Sequence, residues 1–209
     1  MTTFDRKKHW EHIYQTKELA EVSWYQAVPE PSLNFLAQLS LPLNASIIDI
    51  GGGDSFFVDH LLDKGFKNVT VLNISEAAIA KAKKRLGDKS KQVTLIVTDI
   101  ANFQPTEKYD FWHDRAAFHF LTEEAEILRY IETAKQSITT DGALVIGTFS
   151  QQGPEKCSGI AIQRYSEAAM TRRFQTFFDK INCVAVEHHT PLNTLQHFIF
   201  CCFKKAKKL

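Results

Sequence analysis

The chain has 209 residues, 44% of them hydrophobic, with 25 basic against 24 acidic side chains and a formal net charge of +1. That is enough apolar material for one compact domain, and too little net charge to attract nucleic acid or an anionic membrane through a general field. No apolar run approaches the roughly 20 residues that span a bilayer; the start MTTFDRKKHW lacks the apolar core of a secretory signal, so a soluble, cytoplasmic protein is expected.

In chain order, Trp10, Ile13, Tyr14 and Lys17 keep helical spacing within Phe4 to Leu19, and Leu33, Leu36, Ala37 and Leu39 do so again after Pro29 and Pro31. The segment EVSWYQAVPEP joins these two helices. Ser46 to Ile50 reads as a buried strand and Phe56 to Lys64 as the next helix, closed by Gly65. Val69 to Leu72 is a second strand, and Ser75 caps the helix EAAIAKAKKRL, which stops at Gly87. Val93 to Val97 and Tyr109 to His113 are strands three and four. A helix capped by Thr122 runs to Ser137, and strand five, Ala143 to Thr148, follows an Asp141-Gly142 turn.

Beyond Ser150 come a loop, QQGPEKCSG, and a helix from Ser166 to Phe174. Two strands near Cys183 to His188 and Gln196 to Phe203 then flank a Pro191-Leu192-Asn193 turn. The lysine-rich end KKAKKL reads as a solvated tail. Alternating strands and helices predict an α/β fold, doubly wound and Rossmann-like, with a seven-stranded mostly parallel sheet and an antiparallel C-terminal hairpin. Residues 1–40 are expected to form a helical lid and 41–209 the core of a single domain. Cys157, Cys183, Cys201 and Cys202 have no CxxC spacing, and neighbours in a strand point oppositely, so Cys201 and Cys202 are a poor disulfide pair; free thiols are expected.

Chemistry gathers first at Ile48-Asp49-Ile50-Gly51-Gly52-Gly53-Asp54-Ser55. A glycine turn between a strand and a helix lets a ligand approach the backbone, beside the free N–H groups of the helix start. No Gly-Lys-Ser/Thr follows, which excludes a phosphate-binding P-loop, and Phe56 stands where a dinucleotide turn would place its third glycine. Asp49 and Asp54 would repel a pyrophosphate and favour a cationic ligand.

On these residues the chain resembles the class I methyltransferases that use S-adenosylmethionine, whose first motif stands here as Asp49-Ile50-Gly51-Gly52-Gly53. The resemblance implies S-adenosylmethionine as cofactor. It places Thr98, Asp99 and Ile100 at the adenine, Asn73 and Ile74 at the ribose, and His113 and Asp114 near the methionine end. Asn73 departs from the family's acidic residue; its amide lacks the charge-assisted, two-oxygen grip of a carboxylate, and Asn73→Asp is expected to tighten cofactor binding.

Trp10 and Tyr14, then Trp24 and Tyr25, resemble the W-x-x-x-Y and E-W-Y signatures of some methyltransferase-like lysine methyltransferases, with Ser23 in place of the Glu. Trp24 and Tyr25 would then cover the cofactor and stabilise a sulfonium. Core packing is the alternative role for Trp10 and Tyr14. The run HDRAAFHF, with GPEKCSG and Arg164-Tyr165, is similar to a subgroup of bacterial methyltransferases.

Methyl transfer is an in-line displacement that needs alignment and, for a protonated acceptor, a base. His119 and His113 are the candidate bases, and Arg115 or Arg164 the candidate anchors for an acceptor anion. Alternatively, His113 serves through its backbone and Arg115 pairs with Asp114. Cys157 is a candidate substrate contact, and no metal is expected, because His188 and His189 point oppositely with no third ligand in spacing. The acceptor is expected to be a small molecule, with a protein lysine second and neither nucleic acid nor membrane as partner. A non-catalytic S-adenosylmethionine-binding protein and a nicotinamide dehydrogenase are the other readings.

Overall fold

The structure, a computed structural model, describes residues 4–207. The first three residues of the MTTFDRKKHW start and the last two of the KKAKKL end lie outside the described residues. The strands are β1 (Ser46–Ile50), β2 (Asn68–Asn73), β3 (Val93–Val97), β4 (Tyr109–Arg115), β5 (Ile138–Phe149), β6 (Lys156–Cys157), β7 (Ile160–Ala161), β8 (Phe178–His189) and β9 (Leu195–Lys205). The α-helices are α1 (Arg6–Thr16), α2 (Glu30–Leu39), α3 (Phe57–Asp63), α4 (Glu76–Leu86), α5 (Glu124–Ser137) and α6 (Glu167–Phe174).

Seven strands form one sheet in the order β3-β2-β1-β4-β5-β9-β8, and β6 pairs with β7 as a small separate hairpin. β1 to β5 run parallel, whereas β9 pairs antiparallel with β5 and β8 with β9. This is the Rossmann-like, doubly wound arrangement, with the chain reversing direction of travel between β1 and β4, where such sheets open a crevice.

Strand alternation builds two cores from consecutive residues. Ile47, Phe111 and Ala143 lie in one layer with Phe35 and Leu36 of α2, Phe57 and Leu61 of α3, and Ile79 of α4. Ile48, Trp112 and Leu144 lie in the other, against Ile127 and Ile131 of α5 and Met170 and Phe174 of α6. With both faces covered, the inner strands bury apolar residues on both sides, and their buried polar residues Asp49, His113 and Asp114 gather toward the C-terminal ends. α2, expected within the lid, thus belongs to the layer on the sheet.

Several boundaries differ from the sequence expectation. α1 is shorter than Phe4 to Leu19, because the Asp5 side chain accepts from Lys8 N–H and sets the start. α5 begins after Glu123, not Thr122, since a 3-10 turn at Phe118–Phe120 and buried Leu121 take up the preceding chain. Asp141-Gly142 is no turn between elements but part of β5: Ile138 faces Tyr109 while Ala143 faces Phe111, so the intervening residues bulge. A Cβ on Gly142 would stand 2.7 Å from Ile138 Cγ2, which explains the glycine. QQGPEKCSG is not all loop, since it contributes Lys156–Cys157 to the small hairpin. Lys204 and Lys205 of the expected tail belong to β9, and Lys205 Nζ donates to the Ile138 carbonyl.

The cysteine expectation needs a correction. Cys183 and Cys201 stand opposite each other in the β8–β9 register with Cα atoms 4.1 Å apart, and form a disulfide. Cys157 and Cys202 remain free and buried. Cys201 and Cys202 do point to opposite cores.

No helix among the described residues is long and apolar enough to cross a membrane.

Candidate functional site

A pocket of about 890 Å³, its open mouth included, lies at the C-terminal ends of β1, β2, β3 and β4. Its floor is the glycine turn. Gly51 has φ +73°, a left-handed conformation that side chains resist, and a Cβ there would stand 2.9 Å from that of Ala117. A Cβ on Gly52 would lie 2.2 Å from Asp49 Oδ2, so the turn can wrap the carboxylate only with glycine there. Gly53 backs onto Asn73 and Ala78 instead of lining the pocket. Arg85 of α4 holds the chain just after the turn, donating to the Asp54 and Ser55 carbonyls and pairing with Asp59 at 3.0 Å.

At the β3 side, Asp99 accepts from Ala101 N–H at 2.9 Å, and Arg6 of α1 donates to it at 3.2 Å. The other arm of Arg6 meets Glu126 of α5 at 2.7 Å, so the first turn of α1 is tied to the β3-side wall. Glu11, further along α1, accepts from Ser75 Oγ and Ala77 N–H at the start of α4. Asn73 is buried, and its amide is already used. Oδ1 accepts from Ser75 N–H at 2.9 Å, and Nδ2 donates to the Gly51 carbonyl at 3.1 Å. The expectation that Asn73→Asp tightens binding is therefore corrected: a carboxylate would face the Gly51 carbonyl with no proton to give it. Thr98, Ile74 and Ile100 line the same end.

At the β4 side, alternation sorts the HDR run. Asp49 and His113 are opposite in the β1–β4 register, and His113 Nδ1 donates to Asp49 Oδ1 at 2.6 Å. Its Nε2 bonds the Ser32 hydroxyl of α2 at 2.8 Å. Both ring nitrogens are engaged, so His113 lines the pocket as an oriented partner of Asp49, with no nitrogen left to take an acceptor's proton. Asp49 Oδ2 is buried without a hydrogen-bond partner among the described residues.

Asp114 points to the other face, so its expected cofactor contact is corrected. It accepts from the Ala117 and Phe118 N–H groups and from Tyr130 OH at 2.8 Å, fixing the turn after β4, and burial pushes its pKa up to about 6. Ala116 in that turn has φ +63° and lines the pocket, a strained backbone position at the wall.

Arg115 returns to the pocket face. Its Nη1 donates to the Trp24 carbonyl at 2.9 Å, and its guanidinium lies 5.6 Å from the Phe198 ring. Its Nη2 is enclosed without a partner among the described residues. Arg115 does not pair with Asp114.

His119 is fully buried and does not line the pocket. Its Nδ1 accepts from Phe149 N–H at 3.4 Å, and burial, with Arg115 nearby, pushes its pKa down to about 3. The expectation that it is a base at the site is corrected on this geometry. Arg164 is likewise elsewhere, donating to the Gln151 and Gly153 carbonyls and pairing with Glu155.

The cover is aromatic. Trp24 packs edge to face against both Trp10 and Tyr14, which are tilted on each other, and Trp10 meets Phe120 with ring centroids 5.0 Å apart. Trp24 Nε1 donates to Asp54 at 3.2 Å, and burial raises the Asp54 pKa against the pull of that bond and of Lys81 and Arg85. Tyr25 turns away to pack on Phe56 and does not line this pocket. Cys157 lines the wall, its thiol pushed up to about 11 by burial. The His188 ring bonds the Ser23 carbonyl at 2.7 Å and Gln26 at 3.2 Å, strapping the Trp24 segment to β8.

Residues 48–144 match the family model of a methyltransferase domain. The matched stretch begins one residue before Asp49 and ends within β5, so it contains every strand-end residue of the pocket floor. Over 51% of this chain and 39% of the relative, the sequence is 28% identical to malonyl-[acyl-carrier protein] O-methyltransferase 1 of Ilyobacter polytropus. It is 25% identical to EEF1A lysine methyltransferase 2 of Mus musculus over 51% of this chain and 47% of that protein. The match thus spans less than half the length of these curated relatives. Among solved structures, the N-methyltransferase NodS of Bradyrhizobium japonicum WM9, in complex with S-adenosyl-L-homocysteine, superimposes with a TM-score of 0.72 at 17% identity, covering 97% of this chain and 100% of that one. That likeness shows a shared methyltransferase fold.

Arg6, Ser32, Asp54 and Arg85 shape the pocket without having been among the expected site residues. Only Asp54 carried a signal in sequence, as an acid beside the glycines; Arg6 sits in an ordinary basic run, and Ser32 and Arg85 reach the site through helix packing alone.

Proposed function

We propose that this chain is an S-adenosylmethionine-dependent methyltransferase acting on a small-molecule acceptor. The observation that carries the reading is Asp49: a buried carboxylate at the strand switch point, lining the pocket, closely wrapped by Gly52, oriented by His113, and left with one oxygen without a partner among the described residues. An unpartnered buried carboxylate oxygen is costly unless a cationic ligand meets it, and S-adenosylmethionine brings an ammonium and a sulfonium.

The residues present fit that group. Asp99 and Thr98 would hold the adenine end, Asn73 and Ile74 would border the ribose, and Asp49 would take the ammonium. When bound, S-adenosylmethionine supplies a methyl group on positively charged sulfur. The chain's own contribution is to bind, orient and exclude water: Trp10, Tyr14, Trp24 and Phe120 wall the cavity with aromatic faces that favour a cation. Beside Asp49 and Asp99, the buried carboxylate of Asp54 is a further group at the wall able to accept a proton, its pKa raised by burial.

Similarity to a malonyl-[acyl-carrier protein] O-methyltransferase and a net charge of only +1 favour a small acceptor over nucleic acid. The similarity to EEF1A lysine methyltransferase 2 and the Trp10/Tyr14 cover support a protein lysine as the second reading. Membership of the HDRAAFHF bacterial subgroup belongs with this proposal.

Thermal shift with S-adenosylmethionine, S-adenosylhomocysteine and NAD, followed by S-adenosylhomocysteine production over an acceptor panel, tests it. Stabilisation by the two adenosyl compounds and turnover with a small acceptor are expected. Stabilisation by NAD alone would overturn the reading, and binding with no turnover on any acceptor would mark a non-catalytic binding protein.

A further inference from the structure

We infer that Arg115 is the receptor for the carboxylate of the cofactor's amino-acid end, making the site selective for the zwitterionic form of the nucleoside over its decarboxylated form. This inference rests on the cofactor reading above and assigns Arg115 to the cofactor in place of the acceptor.

Charge matching leads to it. The proposed cofactor carries two positive groups and one negative, the latter on the same carbon as its ammonium. Among the described residues, the pocket wall presents two arginines. Arg6 is engaged by Asp99 and Glu126 at the far end. Arg115 is the other, and its Nη2 is enclosed with no partner among the described residues. A guanidinium N–H enclosed and unsatisfied is expensive unless an anion completes it.

Position decides which anion. Asp49 is opposite His113 in register, and Arg115 lies two residues along the same face of β4. The charges of Asp49 and Asp54 both act on Arg115, partly offsetting the burial that brings its pKa down to about 10. An ammonium at Asp49 therefore places its neighbouring carboxylate within the reach of this guanidinium. Preorganisation supports the same role. Nη1 is fixed on the Trp24 carbonyl, so the arm is aimed before any ligand arrives, and the Trp24 segment is itself strapped by His188.

Calorimetric titration of the full chain distinguishes the roles without measuring turnover. The probes are S-adenosylhomocysteine, 5′-methylthioadenosine, which lacks the amino-acid end, and the pair S-adenosylmethionine and decarboxylated S-adenosylmethionine. Wild type is expected to favour S-adenosylmethionine over its decarboxylated form by roughly 10- to 100-fold, as for a charged hydrogen bond. Arg115→Met erases that preference and weakens S-adenosylhomocysteine by a similar factor, while 5′-methylthioadenosine stays within about twofold; Arg115→Lys keeps part of the preference.

Equal wild-type affinity for the carboxylated and decarboxylated forms overturns the inference, and needs no variant to fold. So does an Arg115→Met protein that binds S-adenosylhomocysteine as wild type does, which would return Arg115 to the acceptor. A wild type that binds none of the four nucleosides overturns the cofactor reading itself, a result distinct from either.

Discussion

The two ends of the pocket are built differently. At the β2–β3 end the polar side chains are already spoken for: Asn73 joins Ser75 to Gly51, and Asp99 holds Ala101 and Arg6. At the β1–β4 end, Asp49 and Arg115 each keep one enclosed polar atom without a partner among the described residues. The first end is shape, fixed by the fold's own hydrogen bonds; the second is unsatisfied charge that a ligand must complete.

That contrast can be broken most directly at Asp49. Asp49→Ala removes the partner of buried His113 and the open oxygen together, and is expected to cost about 3 kcal/mol or more in stability and to abolish measurable S-adenosylhomocysteine binding, by denaturation and calorimetry. Unchanged binding would show that charge at this end is not what holds the ligand.

His119 tests the boundary of the charged end. Its pKa in the folded chain is about 3 against an ordinary 6.5. Below 6.5 the unfolded chain takes up a proton that the buried ring refuses, so this group's contribution is intact above pH 6.5 and is lost as pH falls toward 3. His119→Asn, which keeps an acceptor for Phe149 N–H, should flatten that part of the stability curve by a few kcal/mol and leave S-adenosylhomocysteine affinity at pH 7.5 unchanged. A large affinity loss at constant stability would bring His119 back into the site.

Asn73→Asp addresses the shaped end. It replaces the Nδ2 donor by an oxygen facing the Gly51 carbonyl, and should lower stability by about 1–2 kcal/mol without tightening S-adenosylhomocysteine. A calorimetric gain in affinity would mean that the ribose side also waits for its ligand. The smallest effect is expected from Arg6→Ala. Its ion pairs are about one-fifth exposed, so the loss is about 0.5–1 kcal/mol, seen as faster nucleoside release in stopped-flow as α1 loosens from Asp99.

Much of the frame was legible in the chain itself. Ser46 to Ile50 and the glycines after it, Ser75 as the cap of α4, and Asn193 in the hairpin turn are local chemistry: side-chain period, capping hydroxyl, and a residue that tolerates positive φ. The aromatic cover was visible as Trp10, Tyr14 and Trp24, though not which of them would close the pocket. Tyr25 was misplaced because two neighbours in an irregular segment carry no periodicity that says which faces inward. Thr122 and the Asp141-Gly142 pair carried valid local signals that the neighbouring packing overrode, through the Phe118–Phe120 turn and the β5 bulge.

The sequence by itself determined that strands and helices alternate, that the first strand ends in a glycine turn flanked by acids, and that a cationic nucleoside fits this turn better than a pyrophosphate. Those properties live within a few residues of one another, where sterics and charge act directly. Only the tertiary structure decided that Cys183 meets Cys201, that Asp114 turns from the pocket while His113 and Arg115 face it, and that Asn73 spends its amide on Gly51. Each depends on which strand lies beside which and in what register, and a one-residue shift would send every one of those side chains to the opposite face.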